Sequence, residues 1–72
     1  MAPVLEQKPL LKIRAERLRR GWRLVDLAYK ANVGISELSR IESGRTQPYK
    51  NHAIRIAAVL GLKPEELQEV EQ

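Results

Sequence analysis

Seventy-two residues with a formal net charge of +4 bound one small domain; a chain this short buries only about 60% of its unfolded surface, which leaves little room for a deep catalytic pocket. It has no cysteine, so neither a disulfide nor a thiolate–metal framework supports the fold, and no apolar run approaches the ~18 residues of a membrane span. Charge is graded along the chain: residues 1–30 carry eight Lys/Arg against three Asp/Glu, 31–50 three against two, and 51–72 two against four, a distribution that predicts one cationic face.

The opening stretch, MAPVLEQKP, has two prolines, no apolar signal core and no period. It reads as a flexible arm over residues 1–9 without an export signal, followed by one domain over 10–72 in a cytoplasmic setting. Leu11, Ala15 and Leu18 repeat at helical spacing and predict a first helix over 10–20, opened by Pro9 or Leu10 and stopped at Gly21. Leu24, Leu27, Ala28 and Ala31 fall at i, i+3, i+4 and i+7, a second helix that ends at Asn32. A third covers 35–43, between Gly34 and Gly44; Leu38, Ile41 and Glu42 share one of its faces, while Ser36, Ser39, Arg40 and Ser43 share the other. The polar loop RTQPYK follows, because Pro48 blocks helix continuation. Ala53, Ile54, Ala57, Ala58 and Leu60 predict a fourth helix ended by Gly61, and KPEELQEV a short fifth with Pro64 at its first position. No segment alternates at period two long enough to make a strand, so the expected class is all-α with five helices.

The second and third helices are joined by about three residues, too few for an antiparallel return, so they must cross steeply. Ala28 is small enough for such a crossing, Asn32 accepts the left-handed turn, and Val33, Leu38 and Ile41 bury the inner side of helix three. Residues 24–43 thus meet the physical specification of a helix-turn-helix.

The stretch IRAERLRRGWRLVDLAYKANVGISELSRIESGRTQP, continued by IAAVLGLKPEEL, resembles the Cro/phage-repressor (Xre-like) DNA-binding family over about residues 10–68. Leu27-Ala28, Ser39-Arg40-Ile41-Glu42-Ser43-Gly44, Pro48 and Leu60-Gly61 carry the resemblance in order. It implies a compact five-helix lambda-repressor-like domain that binds operator DNA as a twofold dimer, most often as a repressor, in a bacterium or phage and associated with its nucleoid. In a helix-turn-helix the second helix enters the major groove with its N-terminal end foremost. Ile35, Ser36, Glu37, Ser39 and Arg40 are then the expected base-reading set: Arg40 suits guanine, the serines a base edge or phosphate, Ile35 a thymine methyl. Each has a plainer alternative, such as Ile35 padding the core margin, Arg40 pairing with Glu37, or Glu37 serving the positive helix end. Arg23, Lys30, Ser43, Gly44, Arg45, Thr46, Gln47 and Lys50 are the expected phosphate contacts, with Gly44 admitting main-chain N–H groups to a phosphate. Arg17 matches the family arginine that pairs with the inward glutamate, here Glu42, as a structural ion pair.

The chain departs from the family pattern at three positions. Arg23 stands where a Ser or Thr cap is usual, Leu24 where a phosphate-anchoring Gln is common, and Gly34 replaces another cap. Asp26 can compensate in part at the third helical position. Trp22 is expected to pack beneath the turn between the first two helices. His52 is the one histidine and has no ligand-spaced partner, so no metal or cofactor is expected. Ser36, His52 and Asp26 do not map to one cleft, so nucleophilic catalysis is rejected, and with no pocket or paired catalytic groups evident no enzyme is expected. The alternative function is a protein-interaction module such as an antitoxin, supported by the apolar Leu24 and Ile35; no small-molecule ligand is evident.

Overall fold

Four α-helices and one 3-10 turn make up the fold in a computed structural model that describes residues 10–71. They are α1 (Lys12–Arg19), α2 (Leu24–Ala31), α3 (Ile35–Glu42), α4 (Lys50–Leu60) and the turn Pro64–Glu66. The expected arm over residues 1–9 lies outside the described residues. The core is aliphatic: Ile13, Leu27, Leu38, Ile41 and Ile56 are wholly inaccessible, and Leu60 and Leu67 nearly so. Each such side chain is worth about 1.5–3 kcal/mol of burial. α4 lies at the centre of the assembly, packed on α2, α1 and the 3-10 turn, while α3 packs on α2. No helix among the described residues is long and apolar enough to cross a membrane.

The expected count of five helices is corrected to four. Pro64 starts a turn whose reciprocal cap is the Lys63 N–H donating to Glu66 Oε1 at 2.8 Å, but the helix stops after one turn. The chain beyond it is drawn across to the start of α1. Lys12 N–H donates to the Glu69 carbonyl at 2.8 Å, Ile13 N–H to the Leu67 carbonyl at 2.9 Å, and Glu71 N–H to the Leu10 carbonyl at 2.8 Å. These bonds, in the first two cases, satisfy donors that the first turn of a helix leaves without partners. They form an isolated antiparallel bridge between Leu11 and Val70, the one piece of extended pairing among the described residues. The same bridge explains why α1 opens at Lys12 and not at residue 10: Leu11 is extended, with φ −76° and ψ 152°.

Two helical faces also differ from expectation. In α1 the buried positions are Ile13, Ala15 and Arg17, while Leu18 is 46% exposed; the arginine takes an inward position that the apolar count assigned to leucine. In α4 the buried stripe is Ala53, Ile56, Ala57 and Leu60, and Ile54 and Ala58 face outward. Ile54 and Ile56 are two residues apart, about 200° round a helix, so only one can face the core.

The α2–α3 turn is built as its residues require. Asn32 adopts the left-handed conformation at φ 57°, the one non-glycine with positive φ among the described residues. The Val33 N–H then returns to the Ala28 carbonyl at 3.0 Å. A side chain in this region costs roughly 1–2 kcal/mol per residue unless it is glycine or a short polar group. Asn32→Ala should therefore lower the unfolding free energy by about 1 kcal/mol, whereas Asn32→Gly should hold or slightly raise it, as read by urea denaturation followed by circular dichroism.

Candidate nucleic-acid interface

α3 is held on one face and open on the other. Inward, Leu38 and Ile41 are wholly buried, and Glu42 is buried beside them. An isolated buried carboxylate is costly, and Arg17 removes that cost. Its Nε donates to Glu42 Oε2 at 2.7 Å, Nη2 to Oε1 at 2.9 Å, and Nη1 to the Trp22 carbonyl at 2.8 Å. One guanidinium thus ties α1, the following turn and α3 together, and its planar fork suits that task where a lysine would not. Outward, Ser36, Ser39, Arg40 and Ser43 are exposed and Ile35 is 49% exposed.

Polar clamps that the sequence did not reveal hold both ends of this unit. Arg55 of α4 donates from Nε to the Ala31 carbonyl at 2.9 Å and from Nη2 to the Asn32 carbonyl at 3.0 Å, which caps the end of α2. Gln68 donates from Nε2 to the Ile41 carbonyl at 3.0 Å and to the Thr46 carbonyl at 2.7 Å, which pins the end of α3 and the loop after it. Both act on carbonyls brought near only by the tertiary fold, so no local pattern announces them.

The loop after α3 alters one expectation. Gly44 has φ 78°, and this reversal turns the chain back on the helix. The N–H groups of Ser43, Gly44 and Arg45 donate to the carbonyls of Ser39, Ile41 and Arg40. The Gly44 N–H is therefore already engaged and is not an open donor for an anion. What remains outward here is side chains: exposed Arg45 and Gln47, and half-buried Thr46, whose hydroxyl donates to the Gln47 carbonyl at 3.4 Å. The Ser43 hydroxyl donates to the Arg40 carbonyl at 3.1 Å. Lys50 and Asn51 are exposed at the start of α4.

Two shallow grooves flank α3. One is lined by Arg14, Leu24, Ser39 and Ser43 over the Arg17–Glu42 pair. It adds exposed Arg14 to the cationic residues beside the helix, a position the sequence reading passed over. Leu24 is packed against the core here and does not project freely. The other groove is lined by Glu37, Arg40, Thr46, Gln47 and Tyr49. Glu37 is not the partner of Arg40: its Oε2 lies 2.6 Å from Nδ1 of His52 on α4.

At the start of α2 the missing Ser/Thr cap is replaced from the other side. The Arg23 N–H donates to Asp26 Oδ2 at 2.7 Å, and the Arg23 guanidinium sits 3.3 Å from the same carboxylate. That guanidinium first, and then the N–H, hold the Asp26 carboxyl below the usual carboxylate range. Lys30 lies with Nζ 4.8 Å from the centre of the Trp22 ring, a cation–π contact over a half-buried indole. Arg19 and Arg20 both pair with Glu16; Arg20 also donates to the Leu60 carbonyl at 2.9 Å. With Asp26 engaged by Arg23 and His52 by Glu37, Ser36, His52 and Asp26 form no relay. No three His, Cys, Asp or Glu side chains among the described residues converge as metal ligands.

A helix held from behind by an ion pair, ending in a tight reversal and crossing a second helix over a left-handed Asn, is the geometry of one known motif. A family model described as a helix-turn-helix domain matches residues 11–70. The chain belongs to the helix-turn-helix domain family. The Cro/phage-repressor-like kinship read from its motifs holds. The N-terminal DNA-binding domain of SinR from Bacillus subtilis matches the domain with a TM-score of 0.71 and 33% identity, over 78% of this chain and 83% of that one. No curated protein matches the chain.

Two outcomes follow from this geometry. Arg17→Met strands the Glu42 carboxylate in the core and should cost about 3–5 kcal/mol in urea unfolding, whereas the double variant with Glu42→Leu should recover part of that loss. Because the folded-state carboxyl of Asp26 is held low, its contribution is present above the ordinary carboxylate range and is lost as pH falls through the lowered value. Asp26→Asn should therefore flatten the acid limb of the stability–pH curve below roughly pH 4 and leave the neutral region unsloped.

Proposed function

We propose that this domain is a sequence-specific double-stranded-DNA-binding transcriptional regulator, acting by occupancy of an operator. One observation carries the reading: the outward face of α3 offers Ser36, Ser39 and Arg40 while its inward face is locked by Arg17–Glu42. Its likeness to the SinR DNA-binding domain supports it. Arg40 is the guanine reader, Ser36 and Ser39 bond base edges or phosphates, and Ile35 meets a thymine methyl. Glu37 belongs to this face as a carboxylate already engaged by His52. Arg45, Thr46, Gln47 and Ser43 on the following loop, Lys50 on α4, and Arg23 and Lys30 around α2 bear on the backbone, with Gly44 supplying the turn. The resemblance to phage repressors supports a homodimer on a near-palindromic site, half-sites one turn or about 34–36 Å apart, and repression as the outcome.

A second reading, a protein-docking module, draws on an adjoining surface that shares Ile35 and Lys30 with the first. Val25, Tyr29 and Ile35 are exposed around an open groove that also takes in Ala28, Lys30 and Val33. Salt separates the two: binding through several phosphate contacts makes log K fall with log salt by about 0.9 per contact, and weak, salt-indifferent binding of duplexes would favour the docking module.

Selection of bound duplexes from a random pool supplies the operator. On that duplex Arg40→Ala should cost about 1–3 kcal/mol and relax the preference at one base pair. Arg45→Ala should weaken all duplexes alike and reduce the salt slope by about one. Equal, uniform losses in fluorescence anisotropy for both variants would overturn this division of labour.

A further inference from the structure

His52 is the single histidine of the chain, and it touches the reading helix. Its Nδ1 lies 2.6 Å from Glu37 Oε2, joining α4 to the first turn of α3. Both side chains are partly buried, at 26% and 20% exposure, and the Tyr49 ring meets the imidazole edge-on, 5.5 Å between centres. An ionised carboxylate only accepts, so the contact needs a proton on Nδ1. That proton is present both in the neutral Nδ1–H tautomer and in the imidazolium. A second proton on Nε2 therefore changes the charge of the pair from −1 to zero without breaking the contact.

We propose that His52 is a positioning residue for the reading helix: it fixes the Glu37 carboxylate beside Arg40 and sets, by its own protonation, the charge that this corner presents to DNA phosphates. The proposal rests on the reading that α3 enters a duplex. With neutral imidazole the pair repels the phosphate backbone; with imidazolium it does not. DNA binding then takes up a proton, and affinity rises as pH falls.

The surrounding charges leave this effect legible. Arg40 lines the same groove as Glu37 and Tyr49, and Arg45 extends from the loop beyond it. On α4, Lys50 is exposed and Arg55 is turned to the end of α2. Of the elements packed on α4, α2 has Asp26 held by Arg23 and Lys30 over Trp22, and α1 has Glu16 and Arg20 paired with each other. In the 3-10 turn Glu66 caps the Lys63 N–H, and Glu65 lines a groove with Ala53. Carboxylates, tyrosines, lysines and arginines ordinarily titrate outside roughly pH 6–8.

The experiment measures affinity for the selected duplex by anisotropy from pH 6 to pH 8 at constant ionic strength. The wild-type chain should bind about three- to tenfold tighter at pH 6 than at pH 8. His52→Gln keeps an N–H for Glu37 but cannot titrate, so its profile should be flat while its base preference is retained. Glu37→Gln should raise affinity for a random-sequence duplex at pH 8 to the wild-type level at pH 6. In proton NMR the midpoint of the single imidazole titration should move upward when the duplex is added. A wild-type profile retained in His52→Gln, or a pH-indifferent wild type, would overturn the role of His52 and leave the DNA reading intact. Failure to select any duplex would overturn that reading and this one with it.

Discussion

One guanidinium determines where the third helix can sit. Arg17 reaches from α1 to both oxygens of Glu42 on α3 and to the Trp22 carbonyl in the turn before α2, so three separate pieces of chain share one rigid planar group. The arrangement is strongly directional: apolar packing by Leu38 and Ile41 alone would let α3 slide or rotate, whereas a two-pronged bond to one carboxylate admits one register. In a domain with so few large buried side chains, that directionality carries much of the precision.

The same economy recurs at the helix ends. Arg55 binds the last carbonyls of α2, and Gln68 binds those of α3 and of the loop beyond. Each side chain lies far along the chain from the groups it caps. The outer face of α3 is consequently supported from elsewhere: Ser36, Ser39 and Arg40 stand on a helix whose main supports lie behind or beneath it, with Glu37 tied at its margin to His52. A surface that must match another molecule benefits from such support, because its side chains then lose less freedom on binding.

The helix-turn-helix was legible because its punctuation is local. Asn32 and the glycines at 21, 44 and 61 mark ends that the backbone itself enforces, and the apolar spacing of α2 and α3 is unambiguous. The inward glutamate was legible for a related reason: Glu42 falls on a stripe of leucine and isoleucine, where a charge demands a partner. Other features depended on distant residues. On α1 the apolar spacing points Leu18 inward, whereas Leu18 lies outside and Arg17, the expected partner of Glu42, lies inside. The last helix was overextended because its own residues favour a helix, and what stops it is pairing with Leu10–Ile13 at the other end of the domain. On the candidate interface, the serines and Arg40 could be placed from helical phase alone. The engagement of Glu37 with His52 could not, since fifteen residues and a loop separate them.

The bridge between Leu11 and Val70 has a consequence for the order of events as the polypeptide acquires its shape. The first turn of α1 donates its N–H groups to carbonyls of residues 67 and 69, which are the last parts of the domain to leave a ribosome. α2 and α3 can associate early over a short loop, but α1 lacks its opening partners until residues 67–69 are available. Closing that long loop is an entropic toll met late and at once, so the domain should close from its α2–α3 middle outward, with α3 in place before the brace behind it is complete.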